Sequence, residues 1–401
     1  MAKKEKKKLE KKNWSNTFTL TGEAKINDYT FKIDEKSEKS NWVYNSLNLG
    51  VFCGDKNGTI YSELMGGYGI DRDNLIYVHG KTEDGKDDFD NRFEIDWDDR
   101  NDEEILKTIG DMCFLTVALE LDTKGKPFYK KFLSAYDAIA YIKEVLTDGM
   151  IITVTGTLKY SSYNDNTQCK KEISRITLSK ADDVSKYRAV FTQTMLLNKD
   201  SKGKIDKETG VLPINAKVLD YVKEWKGKEV KTFVPYNKTF EYEVDMTNPE
   251  RTKKAVDKLF TVSKGVTEIT FEGEFIEGGA IVTATEDDLP DDVKELIELG
   301  VYTLEEALAK CTVNSGRERR MVIRKPLIKI VELEGGEKVP KIMKTERKYE
   351  DEDLILDFML EKDEPEVDDD DYPFPDNDDD SSDSDSDSSD SGNDDSWLDN
   401  L

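Results

Sequence analysis

The chain of 401 residues has a single histidine, His79, and four cysteines, Cys53, Cys113, Cys169 and Cys311, no two of them close in sequence. There is no C-x-x-C pair and no Cys/His spacing that suits zinc, so neither a metal centre nor general-base chemistry built on histidine is expected. His79 itself, in Tyr77-Val78-His79-Gly80, reads as a strand-end residue. No apolar signal segment and no run of about 18 apolar residues occurs, which predicts free thiols in a reducing, cytoplasmic setting. Phosphate loops, dinucleotide fingerprints and nucleophile elbows are also missing. The acidic stretch Asp87, Asp88, Asp90, Glu94, Asp96, Asp98, Asp99 and Asp102 fits no calcium loop and has no supporting Lys or His, so it reads as a solvated loop. These absences predict a protein that is not an enzyme and carries no cofactor.

What is present is charge, unevenly placed. Of a formal net charge of −27, the last 41 residues carry −18, with 19 Asp or Glu against one Lys. Such a segment repels itself and buries too little apolar surface to offset ordering entropy, so residues 350–401 are expected to be a disordered acidic tail. It is not uniformly polar: Tyr372 and Phe374 interrupt it, and Trp397, Leu398 and Leu401 close it. Acid followed by a short apolar tip suits a docking peptide, in which charge steers the encounter and the tip fills a pocket; a tail that merely solubilises is the plainer alternative. Residues 1–349 carry only −4, so a basic surface can exist on the body of the chain. Met1 to Lys12 holds seven Lys against two Glu, an arm (residues 1–13) suited to phosphates or to the chain's own tail.

Hydrophobic periodicity divides the remainder into two halves, 14–182 and 183–349. In the first, alternation predicts strands near 17–22, 42–53, 59–65 and 114–119, then a helix over 132–147 stopped at Asp148-Gly149, then strands over 150–160 and 169–178. The charged stretch 82–104 reads as loop. Several strands, one helix and a closing hairpin is the order of an OB-fold. The second half predicts strands at 189–197, 217–221, 229–235 and 239–244, a helix over 249–260, a strand at 266–275, two short helices inserted at 290–311 and a last strand at 321–331. Gly149 and Gly156 recur as Gly265 and Gly273, offset by 116 and 117 residues. A glycine inside a strand marks the bend a small barrel needs in order to close. The expected fold is therefore mainly β with a few helices: two tandem OB-fold-like barrels and an acidic tail.

Cations interleaved with aromatics are what a single nucleic-acid strand requires, because phosphates pair with the cations and bases stack on the rings. In the 4–5 connection of the second half, Arg317, Arg319, Arg320, Arg324, Lys325 and Lys329 lie within 13 residues; the first half has Lys159, Tyr160, Tyr163, Lys170, Lys171 and Arg175 at the equivalent place. Trp42, Tyr44 and Tyr61 lie on the predicted middle strands, and Lys130 and Lys131 flank Tyr129 and Phe132. Tyr236 with Lys238 is a weaker version of the same pattern.

With Val154-Thr155-Gly156-Thr157-Leu158-Lys159-Tyr160, Ile173-Ser174-Arg175-Ile176-Thr177-Leu178 and the Trp397-Leu398-Asp399-Asn400-Leu401 end, the chain resembles phage-type single-stranded-DNA-binding proteins. The resemblance implies sequence-tolerant binding of single-stranded DNA in replication, recombination or repair, in the host cytoplasm if the chain is phage-encoded. It also implies a tail that competes for the DNA groove and docks replication or recombination partners. The tip departs from the usual bacterial Asp-Ile-Pro-Phe type, which leaves the tail's partner open. An RNA-binding or recombination-mediator protein on the same scaffold, and an acidic interaction protein that binds no nucleic acid, remain as alternatives.

Overall fold

The computed structural model describes residues 6–359 except for 39, 164–165, 182, 208, 226, 333–336 and most of 279–317. The chain opens with β1 (Asn16–Lys25), β2 (Phe31–Lys36), β3 (Trp42–Phe52) and β4 (Thr59–Gly69). An insertion then carries β5 (Leu75–Lys81), β6 (Asp87–Asp96), α1 (Glu103–Thr108), β7 (Leu115–Leu121) and β8 (Pro127–Phe132). Helix α2 (Ala135–Val145) and strands β9 (Ile151–Tyr163) and β10 (Asn166–Leu178) complete the first half. The second half holds β11 (Arg188–Leu197), β12 (Val211–Trp225), β13 (Lys228–Glu243), α3 (Pro249–Phe260), β14 (Val266–Gly278) and β15 (Glu318–Pro326), then β16 (Ile328–Glu332), β17 (Lys338–Ile342) and β18 (Lys344–Tyr349).

Both halves close. In the first, β1 pairs with β3, β3 with β4, β4 in parallel with β10, β10 with β9, and β9 back with β1. In the second, β11, β12, β13, β15 and β14 repeat the same circuit, again with the third and fifth strands parallel. That is the OB circuit, with α2 and α3 each between the third and fourth barrel strands. The protein is thus mainly β, with two OB-like barrels.

The repeated glycines have a physical reason. Gly156 on β9 lies opposite Phe18 on β1, and Gly273 on β14 lies opposite Phe191 on β11. A Cβ at Gly156 would sit 2.8 Å from the Phe18 ring and 1.9 Å from the Glu172 carbonyl; one at Gly273 would sit 2.2 Å from the Phe191 ring. Each barrel therefore packs a buried phenylalanine over a strand with no side chain at that point. Phe18 and Phe191 also face each other, because β1 and β11 pair antiparallel from Asn16↔Gln193 to Thr21↔Arg188. One sheet runs through both barrels, and their interiors merge into a single apolar cluster that includes Leu20, Leu49, Ile152, Phe240, Phe271 and Phe275.

The helices obey local rules. Ser134 caps α2 by accepting from Tyr136 N–H at 3.1 Å, and α2 buries Ala138, Ile139, Tyr141 and Ile142. Asn248 caps α3 ahead of Pro249, and α3 buries Thr252, Val256 and Phe260.

Several sequence expectations are corrected. The 82–104 stretch is no loop: β6 pairs with β5, and Asp102 caps α1. Its acids alternate with Phe93 and Ile95, which pack on Val78 and Ile109 in a small core of the insertion. The helix expected from 132 begins at Ala135, because Phe132 ends β8 opposite Leu115. The pieces at 217–221, 229–235 and 239–244 belong to one long hairpin, β12–β13. The last strand breaks at Leu327, whose N–H and C=O bond to Thr270 and Met343. The helices expected at 290–311 and the acidic segment from residue 360, including Tyr372, Phe374, Trp397, Leu398 and Leu401, lie outside the described residues.

The basic arm meets the start of the acidic stretch. Lys6 pairs with Asp357 at 2.6 Å, Lys7 N–H donates to Asp353, and Lys7 Nζ donates to the Lys348 carbonyl. Leu9 is buried with Leu196, Leu219, Val266, Tyr349 and Leu354. Lys11 reaches the buried Asp220 at 3.1 Å. Residues 350–359, expected to belong to the disordered tail, instead cover the second barrel in two tight turns with Leu354 buried.

Candidate nucleic-acid interface

The circuit of strands sets where a groove can form. In the first barrel the connection after β1 and the β9–β10 hairpin flank the β3–β4 face, which is the position at which OB-folds hold oligonucleotides. Two cavities of about 400 and 390 Å³ meet there and share Cys169, Lys170, Lys171, Glu277 and Arg319. Together they make one groove. Towards the first barrel it is lined by Tyr29, Asn48, Tyr61 and Glu63; towards the second by Lys238, Phe275 and Arg320. Five cations thus face two carboxylates along its length.

Three of these cations are held, Arg320 by Glu241 on β13 at 2.6 Å. Lys171 pairs with Glu277 at 2.7 Å, with both side chains largely buried, and lies 5.0 Å from the Phe275 ring centre. That pair bridges β10 of one barrel and β14 of the other. Lys170 lies 3.5 Å from Glu63 at a half-open position. Arg319 is exposed, Lys238 is half-buried, and neither makes an ion pair among the described residues. Tyr29 is 76% exposed, and Tyr61 packs beside Gly50 with part of its ring open. Cys169, on the groove wall, is pushed up by burial. The arrangement offers charged hydrogen-bond donors at the barrel junction and aromatic surface on the first barrel.

The remaining candidates are placed elsewhere. Tyr160 is a correction: it is 4% exposed, donates to Gln193 Oε1 at 2.9 Å, and burial raises it well above the usual phenol range. It belongs to the core because β9 alternates and position 160 points inward. Tyr44 is likewise buried, with Trp42 stacked on it at 4.8 Å. Both sit at the start of β3 opposite Gly67 and Gly69, far along the strand from Tyr61, which faces Gly50. Lys130 covers the Tyr141 ring of α2 at 3.8 Å, and Lys131 pairs with Asp111 of the insertion at 3.0 Å, so both are engaged away from the groove. Lys159 lies 3.8 Å from Glu172, Tyr163 is exposed at the hairpin end, and Arg175 is exposed where β10 meets β7. None of these three lines the groove.

The arginine-rich patch of the second barrel is mostly neutralised. Arg320 pairs with Glu241 at 2.6 Å; Arg324 pairs with Glu274 at 2.8 Å and also with Glu243; Lys325 pairs with Glu272 at 2.9 Å. Burial alone would raise Glu274, but hydrogen bonds from Lys56 and Arg324 outweigh it and hold the carboxyl below its ordinary value of 4.5. These acids sit on β13 and β14, the two neighbours of β15, and cross-strand geometry puts them beside the cations. Arg317 lies outside the described residues.

A model of the YorF family matches residues 81–273. The match covers just under half of the chain. It begins at the end of β5, after the first three strands of the first barrel, and stops at Gly273, the inner glycine of the second. YorF is a phage-associated domain. No curated protein matches the chain.

Tyr29 is the groove residue that sequence reasoning passed over. An aromatic in the turn between the first two strands was its available signal. Among the described residues no cluster of three or more His, Cys, Asp or Glu is placed to hold a metal ion, and no helix is long and apolar enough to cross a membrane.

Proposed function

We propose that the protein binds single-stranded DNA with little sequence preference along the groove between its barrels, in replication, recombination or repair. The observation that carries this reading is the continuous groove on the β3–β4 face, with Tyr29 and Tyr61 at one end, Lys170 and Arg319 where its two parts meet, and Lys238 at the other end. Rings stack bases at about 1–3 kcal/mol each regardless of base identity, while the cations take phosphates. Residues 361–401 compete for the same cations when DNA is absent and dock partner proteins when it is present. The resemblance to phage-type single-stranded-DNA-binding proteins and the phage association of the matched domain agree with this reading.

Fluorescence anisotropy of labelled oligo-dT, with duplex competitor, tests it at two salt concentrations. Salt-sensitive binding that duplex does not displace is expected, and removal of 361–401 tightens it severalfold. A chain that fails to bind at low salt even after truncation overturns the proposal. Tighter binding to the matching RNA oligomer would move the assignment to RNA, since the 2′-hydroxyl distinguishes the two strands.

A further inference from the structure

The insertion holds an arrangement that no single stretch of sequence shows. His79 on β5, Asp87 at the start of β6 and Cys113 in a tight turn before β7 converge. His79 Nδ1 lies 3.2 Å from Cys113 Sγ, and His79 Nε2 lies 2.7 Å from Asp87 Oδ1. Asp87 is itself fixed: the same Oδ1 accepts from Met112 N–H at 2.9 Å, and that bond, with the one to His79, keeps the carboxyl ionised. Phe89 covers the imidazole with ring centres 4.6 Å apart. Gly110 makes room for it, since a Cβ there would lie 2.5 Å from the imidazole and 2.5 Å from Asp87 Oδ1.

The order is nucleophile, base, orienter. A carboxylate on Nε2 holds the hydrogen on that nitrogen and leaves Nδ1, which faces the sulfur, as the basic one. His79 N–H also points at the sulfur, at 3.4 Å. The same sulfur lies 3.8 Å from the His79 carbonyl. Of the other two described cysteines, Cys53 is buried, which pushes its thiol up to about 12, and burial also raises the thiol of Cys169.

We infer that Cys113 is a reactive thiol, with His79 as its base and Asp87 as the positioning residue, and that its substrate class is a low-molecular-weight disulfide. Acyl transfer is the poorer fit, because the nearby amides are committed. Met112 N–H serves Asp87, Cys113 N–H the Gly110 carbonyl and Phe114 N–H the Asp111 carbonyl, so none is left as an oxyanion donor. Disulfide exchange needs no such donor. The Cys113 proton passes to Nδ1, and the sulfur attacks one sulfur of the disulfide. The new S–S bond forms as the old one breaks, and the released thiolate takes the proton. Cys113 is oxidised and the departing half is reduced, so the exchange balances without a further reagent.

The test uses the full chain and 5,5′-dithiobis(2-nitrobenzoate), with adducts assigned to cysteines by peptide mapping. Cys113 is expected to react at least about tenfold faster in the native chain than in the urea-unfolded chain. His79→Asn should bring the native rate down to the unfolded one, with circular dichroism reporting that the variant is folded. A native rate less than tenfold above the unfolded rate overturns the inference, and this comparison needs no variant. A folded His79→Asn protein that reacts as fast as wild type overturns it equally.

Discussion

The two barrels share a strand circuit, a helix position and an inner Phe–Gly contact, yet their outer faces differ. On the first, Tyr29 and Tyr61 present ring surface beside the groove. On the second, the corresponding β12–β13 face carries Asn215, Lys217, Asn237 and Thr239, which bond to one another, Lys217 to Asn237 at 2.8 Å and Thr239 to Asn215 at 2.9 Å. The second barrel has the denser run of cations in sequence, but Glu241, Glu243, Glu272 and Glu274 answer them from the neighbouring strands. Charge along a chain therefore differs from charge available to a ligand. What decides is the carboxylate one strand away.

Four measurements would break or sharpen this contrast. The largest effect belongs to the groove. Lys170→Glu with Arg319→Glu should weaken oligo-dT binding by about tenfold or more and lower the salt slope by about two, one for each lost phosphate contact. Next come the rings: Tyr61→Ala or Tyr29→Ala should each cost about 1–3 kcal/mol of binding by anisotropy, with little change in salt slope. The second barrel should answer differently. Arg324→Gln takes a shared partner from Glu243 and Glu274, leaving them Arg320 at 3.6 Å and Lys56 at 2.6 Å, so it should lower stability by about 1 kcal/mol in urea denaturation while moving DNA affinity less than twofold. A binding loss there as large as in the groove would reverse the assignment of the two faces.

The smallest effect is a pH dependence. Glu274 is held below its ordinary 4.5 in the folded chain. Its contribution to stability is therefore complete above that ordinary value and is lost as pH falls through the lowered one. Urea midpoints for wild type and Glu274→Gln should differ at pH 7 and converge as the solution is made more acidic. A gap that stays constant down to strongly acidic pH would show that Glu274 acts through packing alone.

Much of the fold was legible because its signals are local or periodic. Alternation marked the barrel strands, the helical period marked α2 and α3, and Gly156 and Gly273 marked the repeat. The hairpin at 75–96 was hidden because its apolar residues are few and its acids many; Phe93 and Ile95 form their core only with Val78 and Ile109. The site was less legible. Lys170, Lys171, Tyr61, Arg319 and Arg320 were named from composition, and they do line the groove. Tyr160 was also named, but strand parity turns it inward, and one sequence does not reveal which parity faces the core. The neutralisation of Arg324 and Lys325 depends on register that pairs them with residues at least 50 positions away, which no linear pattern carries. His79, read as a mere strand end, meets Cys113 across 34 residues for the same reason.

The pairing of β1 with β11 has a consequence for how the molecule comes apart. Six residue pairs tie the first strand of one barrel to the first strand of the other, and those same strands close their own barrels through β9 and β14. Neither barrel can shed its leading strand without exposing the backbone edge of its neighbour, so loss of one barrel propagates to the other. The two repeats are therefore expected to melt as a single unit, with one cooperative transition for both in a calorimetric scan.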